Sequence, residues 1–482
     1  MLSASLLFVL PLVFGLLCFF LKSRPAYYVS LIGSVSSLFY FIFLLINYTA
    51  TQGTLFGWEF EWIAKMHINL HLALDGMTIL PLFLSNLIGM ISIFSAFAYQ
   101  DKRNGSYFGL LLMSIACLNA FFMAQNPFTF YLFFELALIP IYFLVIQWGG
   151  PQAKKSVFTF FIYTVFGSFL LLAALIYFYS YIGINVANNW SDVYLNKIPE
   201  HLQYWFLIAF FIAFGIKSPV FPFHSWQANL YEQADKPTVI LIAAVMSKMG
   251  IFGFLRFNLI VQQALQHWGT ELIVLCLIGV IYGALIAWRQ NHFSRLLAFS
   301  SLSHMGLIAA GTLTVNAIAM EGALFQCLAH GIAVAGLFLV ADVVARKTGN
   351  EALDGSSGMA KVNPRLATYY FILVLASVGL PLTSGFVGEL LLISALTKYQ
   401  LGLGIIAGVS IILGAVYMLQ CYQRMMFGAG VQDISKADLS LFEDYGFIIL
   451  IILVFALGFF PIQWFQLAFY GVTQFGDYFM SH

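Results

Sequence analysis

FYLFFELALIPIYFLVIQW, residues 130–148, is apolar throughout except for Glu135 near its middle and Gln147 near its end. A stretch of this length crosses a bilayer as a helix. About 20 apolar residues span the hydrocarbon layer, and a helix satisfies every backbone polar group there. It also places an acid where an ionised side chain is costly and is usually functional. Both features recur along the chain. Of its 482 residues, 61% are hydrophobic and 9% charged, with 21 Lys+Arg, 20 Asp+Glu and a net charge of +1. Such a chain lacks the polar surface to cover a water-soluble core. The expected fold class is an all-α polytopic membrane protein with membrane lipid around it. The balanced charge offers no field for nucleic acid, so no nucleic-acid partner is expected. Cys18, Cys117, Cys276, Cys327 and Cys421 lie in apolar runs without metal-ligand spacing. No metal site is therefore expected in this chain.

Fourteen apolar stretches predict membrane spans, over roughly 2–21, 27–48, 75–99, 106–125, 127–147, 156–182, 202–223, 237–262, 271–288, 294–314, 317–345, 366–396, 402–427 and 446–470. The first has no positive segment before it. Lys22 and Arg24 follow it, which does not fit a cleaved signal. Loops after odd-numbered spans hold 15 Lys and Arg: Lys22, Arg24, Lys102, Arg103, Lys154, Lys155, Lys236, Arg289, Arg295, Arg346, Lys347, Lys361, Arg365, Arg424 and Lys436. Loops after even-numbered spans hold 3, namely Lys65, Lys197 and Lys398. The positive-inside bias puts the odd loops in the cytoplasm and both termini on the outer, periplasmic side. A bacterial inner membrane is the expected location.

Three basic residues remain, Lys217, Lys248 and Arg256, inside or near the ends of spans. Glu135 and Glu389 join them as intramembrane acids, with His224, His304 and His330 in or at the edge of spans. Lys217 and Lys248 lie well within their spans and read as functional. Arg256, nearer a helix end, reads as an interfacial anchor. Asp75 fits a helix N-terminus, and Asp342 reads as structural at a cytoplasmic end. His304 and His330 fit either core histidines or proton relays, and His224 belongs to a break region.

Two spans are expected to be broken. The seventh carries KSPVFPFHSW with Pro219 and Pro222, and the twelfth carries GLPLTSGFVGE with Pro381. Proline removes an N–H donor and clashes with the preceding turn. In a membrane such breaks survive where they line a cavity, and a pair of them points to a transport site. Lys217 precedes the first break and Glu389 follows the second. The spacing of breaks and spans suggests two inverted five-helix repeats, helices 4–8 and 9–13. The expected organisation is a group of N-terminal helices over 1–100, a first repeat over 101–265, a second repeat over 266–430, and a C-terminal loop and helix over 431–482.

Desolvation favours a neutral lysine and a nearby carboxylate restores its charge, so a Glu–Lys pair whose separation changes is a proton switch. Glu135–Lys217 is the candidate pair, with Lys248 next and Glu389 last. No phosphate-binding loop, dinucleotide fingerprint or nucleophile elbow is present, so no covalent chemistry or cofactor is expected within the chain.

The ordered motifs FYLFFELALIPIYFLVIQWGG, FFIYTVFGSFLLLAALI, FGIKSPVFPFHSW, VMSKMGIFGFLRF, SLSHMGLIAAG, LAHGIAVAGLF and GLPLTSGFVGEL resemble the antiporter-like subunits of respiratory complex I, over about residues 70–430. Glutamate at 389, where lysine is more usual, resembles the M-type (chain 4) branch. The resemblance implies a proton-translocating membrane subunit of NADH:quinone oxidoreductase. FMN, iron–sulfur clusters and quinone would then sit in partner subunits, and two homologous antiporter-like subunits would be neighbours. It implies that Glu135 and Lys217 are the coupled pair, Lys248 the central lysine and Glu389 the exit-side carrier. His304 and His330 would lie on the hydrophilic axis. A subunit of a multi-chain Na+/H+ (Mrp-type) antiporter is the alternative. The chain departs from the family after PFHSW, reading QANLYEQADKPT with Asn229 and Asp235–Lys236 at unusual places. That departure is expected to bear on a loop contact, not on the channel.

Overall fold

The computed structural model describes residues 3–48, 54–63, 68–182, 189–195, 198–354, 358–428 and 439–468. Lys65, Lys197 and Lys436 of the loop count lie outside the described residues, as do 431–438 and 469–482 of the expected C-terminal segment. The chain enters through α1 (Leu6–Cys18) and α2 (Ser23–Ile46), followed by a hairpin of β1 (Leu55–Ile63) and β2 (Ile68–Leu74). Next come α3 (Gly76–Ser95), α4 (Gly105–Phe122), α5 (Pro127–Leu136), α6 (Leu138–Trp148), α7 (Ala153–Ile182) and the short α8 (Trp190–Leu195). The middle of the chain forms α9 (Glu200–Lys217), α10 (Gln227–Gln233), α11 (Lys236–Leu241), α12 (Lys248–Phe257), α13 (Gln262–Trp288), α14 (Phe293–Leu313) and α15 (Ala317–Thr348). It ends with α16 (Met359–Val362), α17 (Pro364–Ser377), α18 (Ser384–Tyr399), α19 (Leu401–Met426) and α20 (Leu441–Phe459). Among the described residues, eleven helical segments are long and apolar enough to cross a membrane.

The predicted spans fall on helices, and both predicted breaks are present. The seventh span stops at Lys217 and resumes as α10, and the twelfth is divided between α17 and α18. Two further interruptions carry no warning strong enough to be read in advance. Pro140 cannot accept the α-helical geometry over the Leu136 carbonyl, and the helix lapses at Ala137 between α5 and α6. Ile242–Met246, between α11 and α12, is a single π turn. The β-hairpin is a further feature that the reading of apolar spans does not anticipate. It pairs Trp58 with Leu72 and Phe60 with Leu70 in antiparallel register.

Burial sorts the helices. α3, the α11–α12 segment and α15 are buried along their whole spanning length, whereas α2, α7, α19 and α20 have only a third of theirs fully buried. The exposed side chains are large and apolar, among them Phe39, Phe169, Ile405 and Ile412, as a lipid-facing surface requires. Small residues bring neighbouring helices close. A Cβ on Gly283 would stand 3.0 Å from the Phe299 carbonyl, and one on Gly306 would stand 3.0 Å from the Cys276 carbonyl, so α13 and α14 touch backbone to backbone.

The ion pairs obey the alternation of the loops. Arg24–Asp101, Lys236–Glu351, Arg295–Glu232, Arg365–Asp444 and Arg424–Asp354 each join residues assigned to the odd, lysine- and arginine-rich end. Asp75–Arg256 and Glu200–His267 lie at the even end. Two sequence readings are corrected here. Arg256 is not an interfacial anchor. It is 1% exposed, 2.5 Å from Asp75, and lies over the rings of Trp190 and Phe252. A buried arginine is tolerated because its charge is paired and its planar face stacks on aromatics. Lys236, counted as a loop lysine, is 7% exposed and lies 2.5 Å from Glu351. The departure at Asp235–Lys236 thus turns inward. Asp235 accepts from the Tyr107 hydroxyl at 2.5 Å and from Thr238 at 2.8 Å. Burial pushes its carboxyl up from the usual range, partly offset by those bonds.

Candidate functional site: a buried line of ionisable side chains

Lys217 and Lys248 adjoin interruptions of their helices, Glu135 lies just before the missing backbone bond that Pro140 imposes, and Glu389 lies in the second turn of α18 after the break around Pro381. Glu135 is two residues before the lapse at Ala137. It is half-buried, beside Ser168 of α7 and within electrostatic reach of Lys217. Lys217 is the last residue of α9, because Pro219 and Pro222 prevent the helix from continuing. The carbonyls released by the break find other donors. The Val220 amide bonds Gly215 O at 2.8 Å, and Trp226 Nε1 bonds Ile216 O at 3.1 Å. Lys217 Nζ is buried, donates to the Phe134 carbonyl at 3.0 Å, and lies 4.5 Å over the Phe134 ring. Its head group is therefore held by the residue next to Glu135, and not by the Glu135 carboxylate itself. The expected pair is brought together without being locked into an ion pair.

Lys248 follows the π turn. Its Nζ donates to Ala243 O at 2.7 Å and to Ser247 Oγ at 3.2 Å, and Ser247 donates to the same carbonyl at 2.8 Å. A π turn shifts the backbone bonds to i→i+5 and leaves a carbonyl open to a side chain, here Ala243 O. Among the described residues no carboxylate pairs with Lys248. Cys327 and His330 of α15 are within electrostatic reach of it.

His330 and His304 lie ring to ring with centroids 5.1 Å apart. His304 Nδ1 is 3.1 Å from Glu389 Oε1, and the Gln326 amide donates to that oxygen at 3.4 Å. Glu389 is 3% exposed. The break around Pro381 makes room for it. Gly379 adopts a positive φ of 74°, and a Cβ there would stand 2.6 Å from Glu389 Oε2. Leu382, with φ 75°, carries backbone strain in the same turn.

Between these groups lie buried polar atoms with no protein partner: Ser218 Oγ, both ring nitrogens of His330, His304 Nε2, Ser301 Oγ, Gln326 Oε1 and Ser384 Oγ. Buried polar atoms in proteins are rarely left without a hydrogen bond, and these seven belong to residues of this set or of the helices that carry it. His224 sits in the turn after Lys217 with Nδ1 likewise unpartnered. Sequence reasoning passes over Gln326, although it lies four residues before His330, on the same helix face. Among the described residues no cluster of His, Cys, Asp and Glu could hold a metal ion.

Residues 124–414 match the family described as NADH:quinone oxidoreductase/Mrp antiporter, transmembrane. The chain belongs to this family. It is 34% identical over 449 residues to the NADH-quinone oxidoreductase subunit M of Rickettsia prowazekii, covering 91% of this chain and 90% of that one. It is 33% identical to an NAD(P)H-quinone oxidoreductase chain 4 of Thermosynechococcus vestitus, covering 83% of this chain and 77% of that one. Among solved structures, a chain of respiratory complex I from Thermus thermophilus superposes with a TM-score of 0.90 at 27% identity, covering 98% of both chains. A chain of the Mrp complex from Dietzia sp. superposes with a TM-score of 0.87 at 19% identity, covering 97% of this chain and 51% of that one. That likeness concerns the fold alone. Family membership bears out the antiporter-like membrane fold and its relation to complex I subunits.

Proposed function

We propose that this chain is a proton-translocating membrane subunit of an NADH:quinone oxidoreductase, of the M or chain 4 kind. The observation that carries this reading is the coincidence of charge with helix breaks. Lys217, Lys248 and Glu389 are buried and Glu135 half-buried, each at or within two turns of a helix irregularity, and several unpartnered polar atoms belong to the same helices. Keeping such groups in a hydrocarbon-facing bundle is expensive, and an idle scaffold has no use for them.

Glu135 and Lys217 form the switch. Lys217 is held on the Phe134 carbonyl, one residue from Glu135, so a small shift of α5 against α9 changes their separation. Approach of the carboxylate stabilises the ammonium, and withdrawal releases its proton. Lys248 receives the proton, holding it against the Ala243 carbonyl. His330 and His304 pass it to Glu389, the carrier on the exit side. Hydroxyl groups and imidazoles both donate and accept, which suits the unpartnered atoms of Ser218, Ser301, Ser384, His304 and His330 to contacts with transient waters. Moving one proton across 100 mV requires about 2.3 kcal/mol. No redox group is proposed within this chain. FMN, iron–sulfur clusters and quinone belong to partner subunits, from which the driving energy comes.

Pro219, Pro222 and Pro381 act as fixed hinge points of the two broken helices, and residues 101–265 and 266–430 as the two half-channel repeats. The neighbours are other complex I membrane subunits, including two homologous antiporter-like ones. The membrane is the bacterial inner membrane, with both termini on the periplasmic side. The named relatives at 33–34% identity are oxidoreductase subunits, which favours this reading over the antiporter alternative.

The test is NADH-driven proton uptake by inverted membrane vesicles carrying Lys217→Ala or Glu135→Gln. Both variants are expected to lose most pumping while the complex still assembles with its flavin and iron–sulfur absorbance. Normal pumping in Lys217→Ala would refute the assignment. Purification of the chain with small membrane proteins and no chromophore would favour the antiporter instead.

A further inference from the structure

A second ionic cluster lies outside this line, at the lysine- and arginine-rich end of the bundle. Lys236 opens α11, 2.5 Å from Glu351 Oε1, and donates to Ser294 Oγ at 2.9 Å. The Ser294 hydroxyl donates to the second Glu351 oxygen, which also faces His292 Nδ1 at 3.9 Å. The His292 side chain is 31% exposed, against 11% for Glu351 and 8% for Lys236. Exposure thus falls stepwise from water to the lysine. On its inner side Lys236 is within electrostatic reach of Asp342, which is wholly buried. Asp342 holds the Tyr99 hydroxyl at 2.5 Å, the Ser95 hydroxyl at 3.3 Å and Arg346 Nε at 3.2 Å.

Lys236 and Lys248 lie on one helical segment. Across an uninterrupted α-helix their spacing would leave them about 120° apart. The π turn at Ile242–Met246 absorbs one extra residue and reduces that angle to about 20°. Both lysines therefore turn toward α15, with Lys236 within electrostatic reach of Asp342 and Lys248 within electrostatic reach of His330. The two helices run antiparallel with these pairs in register, and the seam between the pairs is about 18 Å long.

Two serine-bearing helices flank the seam. On α3, Ser95 reaches Asp342 and Ser92 donates to Pro237 O at 2.7 Å. Ser85 follows seven residues before Ser92 on the same face, next to Leu84, which abuts Gly331. On α14, Ser294 binds Lys236, and Ser301 lies seven residues later on the same face, near His304. Ser85 and Ser301 are buried, and neither hydroxyl has a protein partner. At the cluster end α3 thus carries Ser92 and Ser95 and α14 carries Ser294, and about two turns further along each helix carries one unpartnered serine, Ser85 or Ser301.

We propose that Lys236, Glu351 and Asp342 form a proton-loading site that supplies Lys248 along the α11–α15 seam, past Ser85 and Ser301. This rests on the pumping role proposed above and adds an entry route to it. The Lys236 ammonium releases a proton into the hydroxyl and water chain, whose far member protonates the Lys248 amine. Lys236, left as the amine, is recharged by a proton that enters from water through His292, is taken up by the Glu351 carboxylate and passes from there to the amine, which leaves Glu351 again as the carboxylate. One proton moves from the aqueous phase to Lys248, and no co-reactant is required.

The test uses the assembled complex in inverted vesicles. Lys236→Arg keeps the charge and a bond to Glu351 but retains its proton at any working pH. Proton uptake per NADH oxidised is expected to fall severalfold in this variant, with assembly followed by NADH:ferricyanide activity. A structural ion pair would tolerate arginine, so wild-type pumping in Lys236→Arg overturns the proposal. Should that variant not assemble, the Ser85→Ala/Ser301→Ala double variant decides. A severalfold loss supports the route, and unchanged pumping overturns it. Lys217→Ala separates the two readings. If it abolishes pumping while Lys236→Arg and the serine variant do not, the loading site alone is wrong. If it too pumps normally, the pumping role itself fails.

Discussion

At the scale of single residues, the sequence announces a charge in the membrane more readily than it announces the partner. Glu135, Lys217, Lys248 and Glu389 stand out because apolar neighbours surround each of them. Arg256 misleads because its position near a helix end is compatible with reaching the interface. What decides its fate is Asp75, 181 residues away in the chain and 2.5 Å away in space. Asp75 is legible as a helix N-cap, and it does close a capping box with Thr78, but its second oxygen serves the arginine. Removing one member of a buried pair leaves the other uncompensated, at about 3–5 kcal/mol. Arg256→Met is therefore expected to destabilise the chain by about that amount, read as a lower midpoint of thermal unfolding in detergent. Arg256→Met combined with Asp75→Asn should recover part of the loss. If the double variant is as unstable as the sum of the two singles, the pair is not coupled.

At the scale of elements, legibility follows proline. The breaks at Pro219–Pro222 and Pro381 can be foreseen because a missing N–H has a fixed consequence. The π turn before Lys248 has no such marker, since IAAVM contains neither proline nor glycine. The hairpin is a different failure. Ile68, Leu70, Leu72 and Leu74 alternate with Asn69, His71 and Ala73, a strand period, but a scan for long apolar runs passes over it. The break between α17 and α18 invites a direct test. Gly379 is needed twice, for its positive φ and for the space that Glu389 occupies. Gly379→Ala should cost about 1–3 kcal/mol and displace the Glu389 carboxylate from His304, so both the unfolding midpoint and proton uptake should fall. Gly349 has a similar φ of 76°, with nothing within 4 Å of where a Cβ would lie. Gly349→Ala should therefore lower stability and leave pumping intact. Equal losses of pumping at both glycines would mean that the cradle around Glu389 is unimportant.

At the scale of the whole molecule, two independent patterns agree on how the chain is threaded. Counting lysines and arginines separates the loops into two sets, and among the described residues the ion pairs made by the counted lysines and arginines each stay at one end. Arg346 bridges Asp342 and Glu443 within the odd set, and Arg424 holds Asp354 in the same set. The pattern carries a prediction about accessibility. Lys102 and Lys398 are both exposed but belong to opposite sets. The native cysteines are all buried and give little background to a thiol reagent. In inverted vesicles, a membrane-impermeant maleimide is expected to label Lys102→Cys at once and Lys398→Cys only after the vesicles are opened with detergent. The reverse order would turn the protein over in the membrane and make the Lys236 cluster an exit instead of an entrance. Labelling of both before detergent would break the alternation itself, and with it the assignment of the two ends of the proton path.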